Sequence, residues 1–329
     1  MNNEYRIFIE GLNKWIRFVN RAYEVKQLLN IVRKGTAFPI AIYGPEGCGK
    51  TTLLRYLVKK VLNTINSLVI YVDALEEFSI ERALLTSHKE IFELVEGLIS
   101  LPIGATLAKA VMNIISKLSR RIALSGRNVL IIVDDVYRAI GLDNVSRYTK
   151  SLYEWINYLH ENFNAGNVAI ILTTSEGLSK RELSRHTYVQ IYMMWNLPKD
   201  GFTELVNELN PPVDIDLDTL WRYTGGNPRA LIELSQLNWD VGLWIRKIFE
   251  DKIRPIARLI PKTSLLDVAK DPDSNWEIAR KLEEYGLMIE VRRVLTIGEP
   301  PKRDVELGIG EEWAWQIPAY KWAIEHFIH

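Results

Sequence analysis

Five short apolar runs rich in β-branched residues punctuate the first two hundred residues of the chain: Pro39 to Tyr43, Leu68 to Val72, Val129 to Val133, Val168 to Leu172 and Tyr188 to Met194. Each is nearly continuous in apolar character, and long segments with helical periodicity separate them. This pattern predicts five buried parallel strands with helices on both faces, a doubly wound α/β sheet. About fifty residues, Ala74 to Gly126, lie between the second and third runs, more than one crossover helix needs, so one or two further helices are expected there. After Pro198 the strand pattern stops. Helical periodicity over Phe202 to Leu209, Leu217 to Tyr223 and Pro228 to Leu237 predicts a small all-helical unit, with Gly225-Gly226-Asn227-Pro228 closing one helix and opening the next. From Val241 onward, helical patterns (Val241 to Leu259, Trp276 to Tyr285) precede alternating runs at Leu287 to Leu295 and Trp313 to Ile317, split by a loop around Gly298 to Pro301. Helices followed by a two-stranded hairpin suggest a winged-helix-like module. The expected units are therefore 1–200, 201–240 and 241–329.

Composition narrows the class without naming it. With 329 residues, 47% of them hydrophobic and 25% charged, the chain is of ordinary globular character and long enough for two or three compact units. Lys plus Arg equal Asp plus Glu at 41 each, so no global charge draws it to nucleic acid or anionic lipid. A single cysteine, Cys48, excludes an internal disulfide framework. Neither a signal peptide nor a spanning apolar stretch is visible, because Phe92 to Ile115 is broken by Glu93, Glu96, Pro102 and Lys109. A cytoplasmic protein with no membrane partner is expected.

The chemistry concentrates at Gly44-Pro45-Glu46-Gly47-Cys48-Gly49-Lys50-Thr51, set between the first predicted strand and the helical pattern Thr52 to Leu62. This is the phosphate-binding pattern G-x-x-x-x-G-K-[ST]. Its glycines let successive backbone N–H groups turn inward on phosphate oxygens, and the helix that follows adds its positive end. Lys50 is expected on the β and γ phosphates and the Thr51 hydroxyl on Mg²⁺. Thr52, next in the first helical turn, is expected beside the phosphates. The run Val129 to Val133 then ends in Asp134-Asp135, with Asp134 the expected Mg²⁺ partner and Asp135 the group that orients or deprotonates the attacking water. Asp135 is one methylene shorter than the glutamate common in such ATPases, so slow hydrolysis is expected. Val168 to Leu172 ends in Thr173-Thr174-Ser175-Glu176, where Thr174 and Ser175 are candidates to sense the γ-phosphate; turn residues are the plain alternative.

With Phe18-Val19-Asn20-Arg21-Ala22-Tyr23-Glu24 ahead of the phosphate loop, the Asp134-Asp135 pair, Thr173 to Ser175 and Gly225-Gly226-Asn227-Pro228-Arg229 in this order, the chain resembles the archaeal ATPase family, STAND-type P-loop NTPases related to AAA+ proteins. The resemblance is close over about residues 15 to 240. It implies ATP as ligand, Val19, Asn20 and Arg21 near the adenine, and Pro228 and Arg229 contributed by a helical lid over the nucleotide. Read alone, Arg21 and Glu24 also fit an i,i+3 pair on a helix, and Pro228 a simple helix start.

The output is less legible. Val241 to His329 holds 14 Lys or Arg against 15 Asp or Glu, a net charge of −1, and the candidate recognition helix carries Glu277, Glu283 and Glu284. That charge does not favour DNA in a major groove. The expected function is an ATPase acting as a nucleotide-dependent switch on an unidentified protein partner. A DNA-associated, loader-like ATPase and an ATP-holding module with little turnover are the alternatives. Arg181, Arg185 and Arg229 all remain candidates for an arginine finger, and an oligomer is compatible with each.

Overall fold

The computed structural model describes residues 5–64, 67–86, 88, 90–96, 102–119, 124–174, 177–212, 214–292 and 294–328. Strands are numbered along the chain: β1 Arg6–Ile9, β2 Lys14–Arg17, β3 Ile40–Tyr43, β4 Ser67–Asp73, β5 Leu84–Thr86, β6 Asn128–Asp134, β7 Val168–Thr174, β8 Gln190–Met194, β9 Met288–Glu290, β10 Leu295–Ile297 and β11 Trp313–Trp315. The five apolar runs form the parallel centre of one seven-stranded sheet, ordered β10-β8-β3-β7-β6-β4-β5. The fold is α/β with a mostly parallel central sheet.

This order fixes the site. β7 lies between β3, which leads into the phosphate loop, and β6, which ends in the paired acids. Because all three run parallel, their C-terminal ends open on the same edge of the sheet. One face is covered by Ile103–Ser119, Val136–Ile140 and Val145–Phe163, packed on Ile70, Ile131 and Ile170. The other is covered by Ala22–Lys34 and Lys50–Thr64, packed on Val69, Ile132 and Ile171. Strands buried on both faces have no polar side to display, which explains why their sequences do not alternate.

Two edge strands extend the expected five. β5 pairs antiparallel with β4 within the long insertion, which also holds the helices Ile80–Ala83, Glu90–Glu96 and Ile103–Ser119. β10 adds in parallel to β8, with Leu295 opposite Tyr192. This corrects the expected hairpin: β9 does pair antiparallel with β11, Met288 opposite Trp315, but Leu295 leaves it for the main sheet. The cause is that β8 otherwise ends the sheet with unpaired backbone groups, and β10 satisfies them while burying Ile297 on the core of the phosphate-loop side.

Lys199–Leu209, Leu217–Thr224 and Pro228–Gln236 are three consecutive helices, over the segment expected as the lid. One apolar core runs through it and onward across position 240, joining Phe202, Leu205 and Leu231 to Trp244, Leu265, Leu282, Trp315 and Ile324. A hairpin of β1 and β2, absent from the expected elements, packs Ile16 into the same core. No described helix is long and apolar enough to cross a membrane.

Candidate active site

The loop Gly44 to Gly49 leaves β3 and enters the helix Lys50–Thr64, and its glycines meet two different demands. Gly44 runs against the backbone of β8, where a Cβ would lie 2.0 Å from the Met194 carbonyl oxygen. Gly47 takes φ +79° with a Cβ position 2.4 Å from that of Arg229, so the lid helix approaches the loop only because no side chain intervenes. Lys50 is buried and donates to the carbonyls of Gly44 and Pro45, both at 3.0 Å, which folds its ammonium inside the loop. Cys48 is buried against β8, with Sγ 3.6 Å from the Met194 oxygen. Thr51 and Thr52 are half-buried in the first helical turn.

Asp134 is almost fully buried at the end of β6. Tyr71 donates to its Oδ2 at 2.9 Å and Thr173 donates to its Oδ1. The Thr173 hydroxyl also accepts from the Asp135 backbone N–H at 2.8 Å, so one side chain on β7 orients both acids. Asp135 stands at φ +49°, where the chain turns sharply from strand into the helix Val136–Ile140. Burial, reinforced by Asp134, pushes its carboxyl up to about 6, against the opposing pull of Lys50 and Arg138. Behind the pair, Arg55 donates to the Tyr71 hydroxyl at 3.2 Å and to Asp73 at 3.0 Å.

At the end of β7, Thr173 meets the acids. Thr174 is buried opposite Tyr43 of β3, its side chain on the other face of the strand. Ser175 lies outside the described residues. The Tyr71–Arg55–Asp73 relay carried no motif; a tyrosine two residues before an acid inside an apolar strand was the only available signal.

The segment expected at the adenine divides. Val19 packs into the lid core with Leu197 and Phe202. Asn20 and Arg21 line a cavity of about 840 Å³ together with Trp195, Pro198, Trp221 and Pro300. Arg21 is not on a surface helix face: it is buried at φ +68°, ion-paired with buried Glu24 at 2.7 Å. Its remaining donors reach the carbonyls of Cys48 and Trp195, each at 2.9 Å. It therefore ties the phosphate loop to the strand-to-lid connection, and what it offers the cavity is the wall it holds in place.

From the lid, Asn227 rather than Pro228 touches the loop. Its Nδ2 donates to the Glu46 carbonyl at 2.9 Å and to Asn196 Oδ1 at 2.8 Å. Pro228 occupies the first turn of its helix, and Arg229, half-exposed, pairs with Glu46 at 2.7 Å. Burial pushes the Glu46 carboxyl up, but the Arg229 guanidinium outweighs it and holds it below its ordinary value. The C-terminal region also reaches the loop. Gln316 Oε1 accepts from the Glu46 N–H at 2.7 Å, and the Gln316 carbonyl accepts from Asn196 at 3.0 Å. Arg181, on the helix Gly177–Leu183, donates to Glu283 at 2.6 Å and to Glu284 at 3.3 Å, and its neighbour Lys180 pairs with Glu290.

Among the described residues, no three of His, Cys, Asp and Glu converge to hold a metal unaided. One carboxylate and one hydroxyl suffice for Mg²⁺ where phosphate oxygens and water complete the shell, and Asp134 and Thr51 are the residues expected to supply them.

A curated relative, an uncharacterized ATP-binding protein of Methanocaldococcus jannaschii, is 21% identical over 323 residues, covering 87% of each chain. Among solved structures, the ORC2 protein of Aeropyrum pernix in ADPNP and ADP complexes is 14% identical with a TM-score of 0.42, covering 86% of this chain and 83% of its own. AMPPCP-bound DnaA of Aquifex aeolicus is 19% identical with a TM-score of 0.40, covering 81% and 82%. The strand order, rather than these scores, carries the fold. The family model described as an ATPase domain predominantly from Archaea matches residues 18–234, about two thirds of the chain, including the phosphate loop, the paired acids and Asn227, and the chain belongs to that family.

Proposed function

We propose that this protein is an ATP-hydrolysing switch in which occupancy of the phosphate loop sets the docking of the C-terminal, winged-helix-like module. The observation that carries this reading is the hydrogen bond from the Glu46 N–H to Gln316. A phosphate-loop N–H is a donor to nucleotide phosphate, and here the same group is the point at which the C-terminal region touches the loop. Asn196 and Asn227 join the lid to the same point, so one small polar cluster registers loop, lid and module together.

In this reading Lys50 exchanges the Gly44 and Pro45 carbonyls for the β and γ phosphates, and the loop N–H groups cradle the phosphate oxygens. Asp134 and Thr51 would hold Mg²⁺, which when bound supplies charge neutralisation at the phosphates. Asp135 orients the attacking water, and Thr173 keeps both acids in position. The adenosine moiety takes the cavity walled by Asn20, Trp195 and Trp221, where aromatic faces offer stacking. The shorter Asp135 makes turnover slow, which suits a timer better than a motor.

The test pairs equilibrium binding of labelled ATP with steady-state hydrolysis in the presence of Mg²⁺. Lys50→Ala is expected to lose ATP affinity, and Asp135→Asn to keep affinity while turnover falls by about a hundredfold. ATP affinity unchanged in Lys50→Ala would sink the phosphate-site assignment. Tight binding with no turnover in the wild type would replace the hydrolase with a nucleotide-holding module.

A further inference from the structure

The hairpin of β1 and β2 faces outward with a pattern that no part of the nucleotide site uses. Its register sets Phe8 directly opposite Trp15 and Arg6 directly opposite Arg17. Directly opposed residues share a face of the ladder, so this surface presents one pair of rings and one pair of cations. Phe8 is 40% exposed and Trp15 59%, with ring centroids 5.3 Å apart. Two like charges directly opposite destabilise a hairpin. Glu208 offsets part of this: it accepts from the Arg17 backbone and side chain, and the Arg6 charge also helps hold its carboxyl below the ordinary value.

The cationic character continues next door. In the helix Lys50–Thr64, Lys59 and Lys60 are exposed, whereas Lys50 belongs to the phosphate loop and Arg55 is paired with Asp73; the segment Tyr5–Arg17 holds three Lys or Arg against one acid. In a chain whose charges cancel overall, this is a local asymmetry. Lys59 sits 4.6 Å from the Tyr5 ring centroid and Lys60 5.4 Å from that of Tyr56, both lysines exposed. Tyr5 packs on Tyr56 and Phe18, which joins the helix to the hairpin. Arg6 and Phe8 stand two residues apart on the outward face of β1, about 7 Å at strand rise.

We infer that this hairpin face, with Lys59 and Lys60 beside it, is a binding platform for single-stranded nucleic acid, bases stacking on Phe8 and Trp15 and phosphates meeting Arg6, Lys59 and Lys60. Rings supply sequence-tolerant stacking and cations track the backbone, the two ingredients of single-strand binding. A protein partner fits less well, since lysine is depleted from protein interfaces. The platform is independent of the phosphate loop, so it stands or falls apart from the switch.

The experiment is fluorescence anisotropy of a labelled oligothymidylate of about 20 nucleotides, titrated with the full chain at several salt concentrations. Binding should weaken linearly in log affinity against log salt. Trp15→Ala and Phe8→Ala should each weaken it by roughly tenfold, and Arg6→Glu should flatten the salt slope. All three positions are exposed, and the thermal midpoint and ATP affinity are expected to stay at wild-type values, which separates lost contact from lost fold. No salt-dependent binding, or binding indifferent to Trp15→Ala and Arg6→Glu, overturns the platform. So does tighter binding to a duplex of the same length, or a response of these variants only in binding to phosphatidylserine vesicles or in self-association.

Discussion

Thr173 does more than its position in a run of hydroxyl residues suggests. It donates to Asp134 and accepts from the Asp135 backbone, so removing it frees both acids at once. Thr173→Val is expected to lower turnover at least tenfold with ATP affinity changed little, whereas Thr173→Ser retains most activity; initial-rate measurements on both variants check this. Equal losses in the two variants would mean that the methyl packing, not the hydroxyl, matters. The sequence pointed to Thr174 and Ser175 and passed over Thr173, because adjacent residues at a strand end differ only in the face they take, and that depends on register with β6. Asp134 was legible for the opposite reason: an acid ending an apolar strand has few structural uses.

At the scale of elements, the buried Arg21–Glu24 pair is the clearest case of one residue organising several. Its guanidinium joins the helix Ala22–Lys34 to the Cys48 and Trp195 carbonyls, and both charges are nearly inaccessible to solvent. Breaking a buried pair leaves an uncompensated charge, so Arg21→Ala is expected to destabilise the fold by about 3 kcal/mol, read from urea unfolding. Arg21→Ala combined with Glu24→Gln should recover part of that loss. If Arg21→Ala instead left stability intact and weakened only ATP binding, the residue would be a nucleotide contact and not a clamp. The i,i+3 spacing predicted the pairing, but burial was not readable, since it depends on the strand-to-lid connection 174 residues away. The same limit explains the edge strands. The five central strands announce themselves by continuous apolar character, while β5 and β10, three residues each, are defined only by the edges they cover. The β1–β2 hairpin was missed because its strands are only four residues each and its outward face carries the rings Phe8 and Trp15, so its sequence shows no polar side.

Over the whole molecule, the C-terminal region is joined to the ATPase sheet by β10 on β8 and by an apolar cluster of Tyr43 and Met193 with Ile289 and Ala314, and its polar contacts include Gln316 to the phosphate loop, Arg181 to Glu283 and Glu284, and Lys180 to Glu290. Glu283 is buried, and burial pushes its carboxyl up despite the opposing Arg181 charge, so this latch is held against a desolvation cost. In the proposed switch, this contact opens when the nucleotide takes one of its anchors. Gln316→Ala is therefore expected to tighten ATP binding by severalfold, about 1 kcal/mol for one hydrogen bond released from competition, as read by titration of labelled ATP. Weaker binding in that variant would make Gln316 a support of the loop instead.

The coupling itself is tested most directly by hydrogen–deuterium exchange over residues 276–290 and 313–317, measured with and without ATP and Mg²⁺. The nucleotide is predicted to raise exchange in both segments of the wild type and to leave Lys50→Ala unchanged. Saturating ATP binding with identical exchange in both segments would contradict a switch driven through the phosphate loop.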